Sequence, residues 1–325
     1  MKTEILKLLK AAPDYVSGQE LCEHLGVSRT AVWKVIRQLQ EDGYEIEAKR
    51  NRGYRLGESG DVFSGAEIRS LLKTKCVGRN LVFLEQVVST NDEAKRQAEK
   101  GAVDGTLVAA AEQSAGKGRR GRSWVSIKGA GVWMSLMLRP DFPPECASML
   151  TLVAAMAVEE GIRQVTGISG QIKWPNDVVI EGKKVCGILT EMSTEMECIH
   201  YVVVGIGINV GIEEFPEEIQ DMATSLYLCT GKRVKRAALA AAVAEAWELY
   251  YERFTKTRDL RFLMAEYNQN LVNMGREVRV LAPEGEYTGI SRGINEKGEL
   301  LVETEEGLRT VISGEVSVRG IYGYV

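Results

Sequence analysis

Between two apolar, strand-like segments, Thr106–Ala111 and Gly131–Leu138, the chain carries Glu-Gln-Ser-Ala-Gly-Lys-Gly-Arg-Arg-Gly-Arg-Ser-Trp, residues 112–124. Three glycines (Gly116, Gly118, Gly121) alternate with four cations (Lys117, Arg119, Arg120, Arg122), and an indole closes the run. Any fold of this chain has to present a basic glycine loop between two strands. Glycines let a backbone wrap a ligand with its N–H groups turned inward, and guanidinium forks bind phosphate or carboxylate oxygens. Such a loop is expected to be mobile when empty and ordered by an anion. Taken alone, the run fits a solvated basic loop or a nucleic-acid tail equally well.

Composition narrows the choice. With 325 residues the chain is long enough for two or three domains, and its net charge of −4 confines any DNA contact to a local patch. The start, Met1-Lys-Thr-Glu-Ile5, has no apolar signal core, and no apolar run approaches the roughly 20 residues that span a bilayer. Six scattered cysteines without a C-x-x-C pair point to reduced thiols and a cytoplasmic protein, and away from a zinc site or disulfide scaffold. Only His24 and His200 are present, so the chemistry is expected to rest on Lys, Arg, Asn and backbone groups rather than on a histidine triad or a His-rich metal centre.

Apolar residues at Ile5, Leu8 and Leu9 predict a first helix, Gly18–Leu25 a second, and Arg29–Glu41 a third that Ser28 caps and Val32, Ile36 and Leu39 bury. This is helix-turn-helix spacing, with Arg29, Thr30, Lys34, Arg37 and Gln38 left to meet phosphates or base edges. Tyr44–Ala48 and Tyr54–Leu56 flank the basic turn Lys49-Arg50-Asn51-Arg52-Gly53, which predicts the wing of a winged helix. A small helical interaction domain is the plainer alternative. Gly57–Asp61 is a polar, glycine-rich boundary, and Ser64 with Glu67 has capping-box spacing.

Further along, Leu81–Glu85 predicts a strand, and Thr90 with Glu93 a capping box opening a helix from Asp92 to Lys100. Ser89 and Thr90 are also expected to face a polar ligand at that helix start. A long apolar helix, about 145–166, precedes Lys173-Trp-Pro-Asn-Asp177, which by itself is an ordinary turn. Val178–Ile180 and Val185–Leu189 form a hairpin beside which Lys184 is either solvated or turned inward, and Gly187 implies close backbone approach. In Gly205-Ile-Gly-Ile-Asn209 the bare backbone leaves room for a flat ring against the sheet. Helices over about 235–251 and 260–270 follow. Short strands (Glu277–Leu281, Tyr287–Gly293, Leu300–Glu303, Leu308–Ile312, Val316–Arg319) with turns such as Pro283-Glu-Gly285 then predict a small β-barrel.

The motifs Gly116–Trp124, Lys173–Asp177, Lys184–Leu189 and Gly205–Asn209, in this order behind a winged helix, resemble the biotin–protein ligases of the bifunctional bacterial subclass, which also repress biotin biosynthesis. The resemblance spans essentially the whole chain and implies an α+β architecture. It comprises a winged helix-turn-helix (1–60), a mixed sheet with helices like the catalytic domain of class II aminoacyl-tRNA synthetases (64–271), and an SH3-like barrel (274–325). It implies that the biotin carboxylate attacks the α-phosphorus of ATP, with Mg²⁺ on the polyphosphate, and that biotinyl-5′-AMP then acylates a lysine of a biotin carboxyl carrier domain. Lys184, Arg119 and Arg122 are the implied catalytic cations. Ser89, Thr90, Asn91, Gln113, Gly116, Lys117, Arg119, Lys184 and Gly187 would hold biotin. Arg119, Arg122, Trp124, Lys173, Asn176, Lys184 and Asn209 would hold ATP, and no metal is fixed by protein side chains. Ser28, Arg29, Thr30, Lys34, Arg37, Arg50 and Arg52 would meet operator DNA in a homodimer formed when the adenylate, as corepressor, is bound. Lys117 stands where many members carry arginine. A lipoate–protein ligase, or an effector-binding regulator without turnover, are the alternatives.

Overall fold

A computed structural model describes residues 1–58, 60–195, 198–282, 285–314, 317–320 and 324–325. The first unit packs α1 (Lys2–Ala11), α2 (Gly18–Leu25) and α3 (Arg29–Glu41) on the hairpin of β1 (Ile46–Lys49) and β2 (Gly53–Leu56). Ile5, Leu6, Leu9, Leu21, Val32, Ile36 and Leu39 form its core, as the helical spacing requires. Ser28 Oγ accepts from the Ala31 N–H at 3.3 Å, so α3 is capped as expected.

Glu67 in α4 (Gly65–Leu71) ties this unit to the rest. Its backbone N–H is capped by Ser64 Oγ at 3.1 Å, while its carboxylate accepts from Lys10 of α1 at 2.5 Å and the Tyr44 hydroxyl at 2.8 Å. Asp61 adds a second fastening, accepting from the Arg236 backbone N–H at 2.8 Å and its Nε at 2.5 Å. The stretch read as a domain boundary is pinned at its end, and Ser59 within it lies outside the described residues.

The centre is a seven-stranded mixed sheet in the order β3-β4-β7-β11-β10-β9-β8. Its strands are β3 (Leu81–Leu84), β4 (Thr106–Ala110), β7 (Gly131–Leu138), β8 (Gln171–Lys173), β9 (Asp177–Ile180), β10 (Lys183–Glu195) and β11 (Cys198–Asn209), and only β3 and β4 run parallel. Side chains alternate across a strand. On β11, Val202, Val204, Ile206 and Ile208 face the large core under α6 (Met149–Thr166) and α8 (Arg236–Thr257), while Val203 faces α5 (Thr90–Glu99). Gly205 and Gly207 share the α5 face. The basic run is a hairpin of β5 (Gly116–Lys117) and β6 (Ser123–Trp124) around a 3₁₀ turn at Arg119–Gly121.

Four helices differ from their expected spans. Helix α5 starts at Thr90 rather than Asp92, and no capping box forms: Ser89 is the cap residue, and the Thr90 hydroxyl turns to Gln113. Helix α6 begins only at Met149, because Pro144–Cys146 forms a separate 3₁₀ turn. Helix α8 runs on to Thr257, and the next, α9, is shortened to Met264–Asn270. The short α7 (Leu226–Thr230) lies before α8.

The last unit is an antiparallel sheet ordered β15-β14-β13-β12-β16, from β12 (Glu277–Ala282), β13 (Gly285–Ile294), β14 (Leu300–Thr304), β15 (Gly307–Val311) and β16 (Ser317–Gly320). Val316, expected to open the last strand, and Pro283 and Glu284 of the expected turn lie outside the described residues. Its core is continuous with that of the central sheet, and the Trp174 indole N–H donates to the Gly298 carbonyl at 2.9 Å. Among the described residues no helix is long and apolar enough to cross a membrane. Replacing Glu67 by Ala leaves the buried Tyr44 hydroxyl without its carboxylate acceptor and the half-buried Lys10 with Ser70 alone, at a cost of about 1–3 kcal/mol. Hydrogen exchange in α1 and α3 should rise in this variant while protection of β7 and β11 is unchanged.

Candidate functional site

The α5 face of the sheet is shaped by what its glycines omit. A Cβ on Gly205 would lie 2.1 Å from Asn91 Oδ1, and one on Gly207 would lie 2.8 Å from Trp124 Nε1. A Cβ on Gly187, opposite Gly207 in β10, would lie 2.7 Å from Trp124 Cζ3. The room expected for a flat ring is thus taken by the protein's own Asn91 amide and Trp124 indole.

Asn91 is committed on every side. Its Oδ1 accepts from Ser135 Oγ at 2.6 Å, and its Nδ2 donates to Glu191 at 2.7 Å and to the Leu189 carbonyl at 3.3 Å. Gln113 Oε1 accepts from the Thr90 backbone N–H at 2.8 Å and the Thr90 hydroxyl at 3.0 Å, and its Nε2 donates to Ser126 at 2.9 Å. Gly116 packs its backbone beneath this amide, where a Cβ would meet Gln113 Nε2 at 3.1 Å. Lys117 bridges to Asp92 at 2.7 Å, which fastens the hairpin over the first turn of α5. The resulting cavity of about 50 Å³ is lined by Ser89, Thr90, Asn91, Gln113, Lys117, Arg119, Trp124, Asn176, Lys184 and Gly187, among others.

Lys184 reaches this face through a β-bulge. Three residues from Gly187, it would point to the opposite face of a regular strand, but the register of β10 against β9 slips between Lys184 and Cys186. Its ammonium sits 2.6 Å from Asp177 Oδ1 and 5.1 Å from the Trp124 ring. Arg119 donates to Asn176 Oδ1 at 2.9 Å and to the Gly314 carbonyl at 2.6 Å, and burial draws it below the ordinary arginine value. It also borders a cleft of about 950 Å³ between the central and C-terminal sheets, walled by Pro175, Thr190 and Gly298.

Other expected residues stand apart. Lys173 is buried behind the cavity, with its pKa lowered to about 8, burial outweighing the nearby Asp177 carboxylate. Asn209 is buried and donates to the Thr224 carbonyl at 3.1 Å, so it holds a loop rather than lining the cavity. Arg122 is exposed on the hairpin. Ser135 and Glu191 escaped the sequence reading. The one signal for Ser135 is a hydroxyl alone in the apolar strand β7, where it is fully buried.

On the winged helix, Arg29, Thr30, Lys34 and Arg37 are exposed along α3, and Arg50 is exposed at the wing tip. Arg52 is exposed as well, paired with Asp14 and stacked 4.5 Å over Tyr15. Trp33, half exposed with Arg37 5.0 Å over its ring, joins the same surface unforeseen.

Known proteins share this arrangement. Residues 2–55 match a helix-turn-helix domain, residues 83–209 the biotin/lipoate A/B protein ligase family, and residues 274–319 the biotin protein ligase C-terminal domain. The bifunctional ligase/repressor BirA of Bacillus subtilis is 40% identical over 321 residues, 98% of each chain. The chain belongs to the bifunctional ligase/repressor family. The Escherichia coli member is 30% identical over 96% of this chain and 95% of its own. The biotin protein ligase of Aquifex aeolicus in complex with biotin and ATP superposes with a TM-score of 0.67 at 37% identity, covering 74% of this chain and 99% of that one. For a family member of this fold, Gly205→Ala should cost about 1–3 kcal/mol by overpacking Asn91. The control Gly211→Ala, whose new Cβ finds only Ala130 at 3.9 Å, should stay within about 0.5 kcal/mol of the parent in urea unfolding.

Proposed function

We propose that the chain is an ATP-dependent biotin–protein ligase and a biotin-responsive transcriptional repressor. The observation that carries this reading is one cavity, on the glycine face of the sheet, where Ser89, Thr90, Gln113, Lys117, Arg119 and Lys184 converge. Residues 64–271 bear the ligase site, 1–60 the operator contacts, and 274–325 the wall that Arg119 reaches through Gly314. The reaction takes place inside the cell, in the cytoplasm.

Thr90, Ser89 and Gln113 hold the ureido end of biotin, and the carboxylate comes to lie beside Lys184. A carboxylate oxygen attacks the α-phosphorus of ATP, the bond to the bridging oxygen breaks, and pyrophosphate leaves. Two anions meet in this step, so fixed cations at Lys184 and Arg119, joined by Arg122 from the exposed hairpin, lower its barrier without a proton acceptor. A cavity of about 50 Å³ is well below the several hundred cubic ångströms of ordinary ligand pockets. Biotin therefore enters with displacement of the Trp124 indole, freeing that ring to stack on adenine. The carrier lysine amine then attacks the carbonyl of the mixed anhydride, and AMP departs. Mg²⁺ would be held by the polyphosphate itself and would supply charge neutralisation there, while Asn176 and Asp177 already pair with Arg119, Lys184 and Tyr324.

Repression follows from the same ligand. Among the described residues, β10 beyond Thr190 has β11 on one side and no strand on the other. An edge of this kind pairs with a second copy once biotinyl-5′-AMP orders the loops beside it, and two α3 helices then meet a two-fold operator.

ATP-dependent labelling of a carrier domain with biotin but not lipoate tests the activity. Lys184→Ala should slow adenylate formation about 10²–10³-fold with the fold intact; wild-type pyrophosphate release would remove Lys184 from the mechanism. Operator affinity should rise when biotin and ATP are saturating, and an unchanged affinity would remove the corepressor role. Lys173 is cationic below about pH 8 and loses its charge as pH rises through that value. The kcat/KM for ATP should therefore fall on the alkaline side near pH 8, and Lys173→Arg should push that limb upward.

A further inference from the structure

Asp177 is a buried carboxylate between two lysines, Lys184 at the cavity and Lys173 behind it, yet it pairs with only one of them. Lys184 takes Oδ1 at 2.6 Å, and no ion pair to Lys173 occurs among the described residues. The other oxygen, Oδ2, accepts a hydrogen bond from the hydroxyl of Tyr324. Tyr324 follows the C-terminal sheet and is carried back to the central one. Its neighbour Val325 packs on the β9–β10 turn, 3.2 Å from where a Cβ on Gly182 would lie. The Lys173 ammonium rests 3.5 Å from the centroid of the Tyr324 ring. One side chain thus occupies the second oxygen of Asp177 and gives Lys173 an uncharged face to lie on.

Resting on the adenylation reading above, we propose that Tyr324 is a positioning residue of this site. By holding Asp177 Oδ2, it keeps the single carboxylate fixed on Lys184 and prevents it from neutralising Lys173, which stays an unpaired cation behind the cavity whose field reaches the polyphosphate. Burial, and next Asp177, push the Tyr324 phenol above its ordinary value, so it remains a hydrogen-bond donor throughout the working pH range. Without that donor, Asp177 Oδ2 is desolvated and unpaired, and rotation toward Lys173 satisfies it. Both lysines then lie on one carboxylate and the positive field at the α-phosphorus weakens.

The test is pyrophosphate exchange with the full chain, comparing Tyr324→Phe, Asp177→Asn, the double variant and Lys184→Ala over pH 6–10. Tyr324→Phe keeps the ring and the packing, and its thermal midpoint confirms the fold. The proposal expects an exchange rate lower by about tenfold, a raised KM for ATP and unchanged biotin affinity. It also expects the alkaline limb to move up from about pH 8, because a carboxylate turned toward Lys173 holds its proton. In the Asp177→Asn background, the same substitution should change the rate less than about twofold. Wild-type rate and pH profile in Tyr324→Phe, or full additivity with Asp177→Asn, would overturn the proposal while leaving the site reading intact if Lys184→Ala is slow. A fast Lys184→Ala would overturn both.

Discussion

The contact of the Asn91 amide and the Trp124 indole with bare backbone at Gly205 and Gly207 is the constraint on which this face of the molecule depends. β11 lies at the middle of the sheet, with β7 on one side and β10 on the other. Side chains there would fill the space the site occupies. Their absence lets α5 settle low enough for Asn91 to reach Ser135 on β7 and Leu189 and Glu191 on β10. The wall of Thr90 and Gln113 is then positioned by α5 itself. A buried polar network of this kind is rigid only when every member has a partner, and here each amide atom of Asn91 has one.

Charge is the second organising fact. The chain as a whole is acidic, with a net charge of −4, but Lys173, Lys184 and Arg119 gather near one carboxylate, Asp177. In a partly desolvated cavity such an excess of cations is costly by itself and strongly favours the arrival of anions. The winged helix is held to this centre by Glu67 and Asp61 rather than hanging from a free linker. Its orientation is therefore a property of the ligase fold, which suits a repressor whose two operator contacts must match a fixed half-site spacing.

Much of this was legible in the sequence because it rests on local spacing. The winged helix follows from apolar residues at helical intervals and a basic turn between two short strands. The glycine-and-cation run, Lys173–Asp177 and Gly205–Asn209 are contiguous motifs, and Lys117, Arg119, Trp124, Asn176, Gly205 and Gly207 from them line one cavity, while Lys173, Arg122 and Asn209 do not. What the sequence hid are relations that need the third dimension. Nothing local reveals that a bulge swings Lys184 onto the face of Gly187, or that Arg52 folds back on Tyr15 and Asp14. Spacing made Thr90 look like a cap, but Gln113, 23 residues on, claims its hydroxyl. Tyr324 is further still from Asp177, 147 residues along the chain.

The central claim is that a fixed lysine and a displaceable indole jointly receive a carboxylate and a triphosphate on a glycine floor. A crystal structure with biotin and a non-hydrolysable ATP analogue tests it most directly. The account predicts the Lys184 ammonium within hydrogen-bond distance of the carboxylate or α-phosphate, and the Trp124 ring moved off Gly187 and Gly207. A complex in which Lys184 still points only at Asp177, and the indole still covers both glycines, would contradict it.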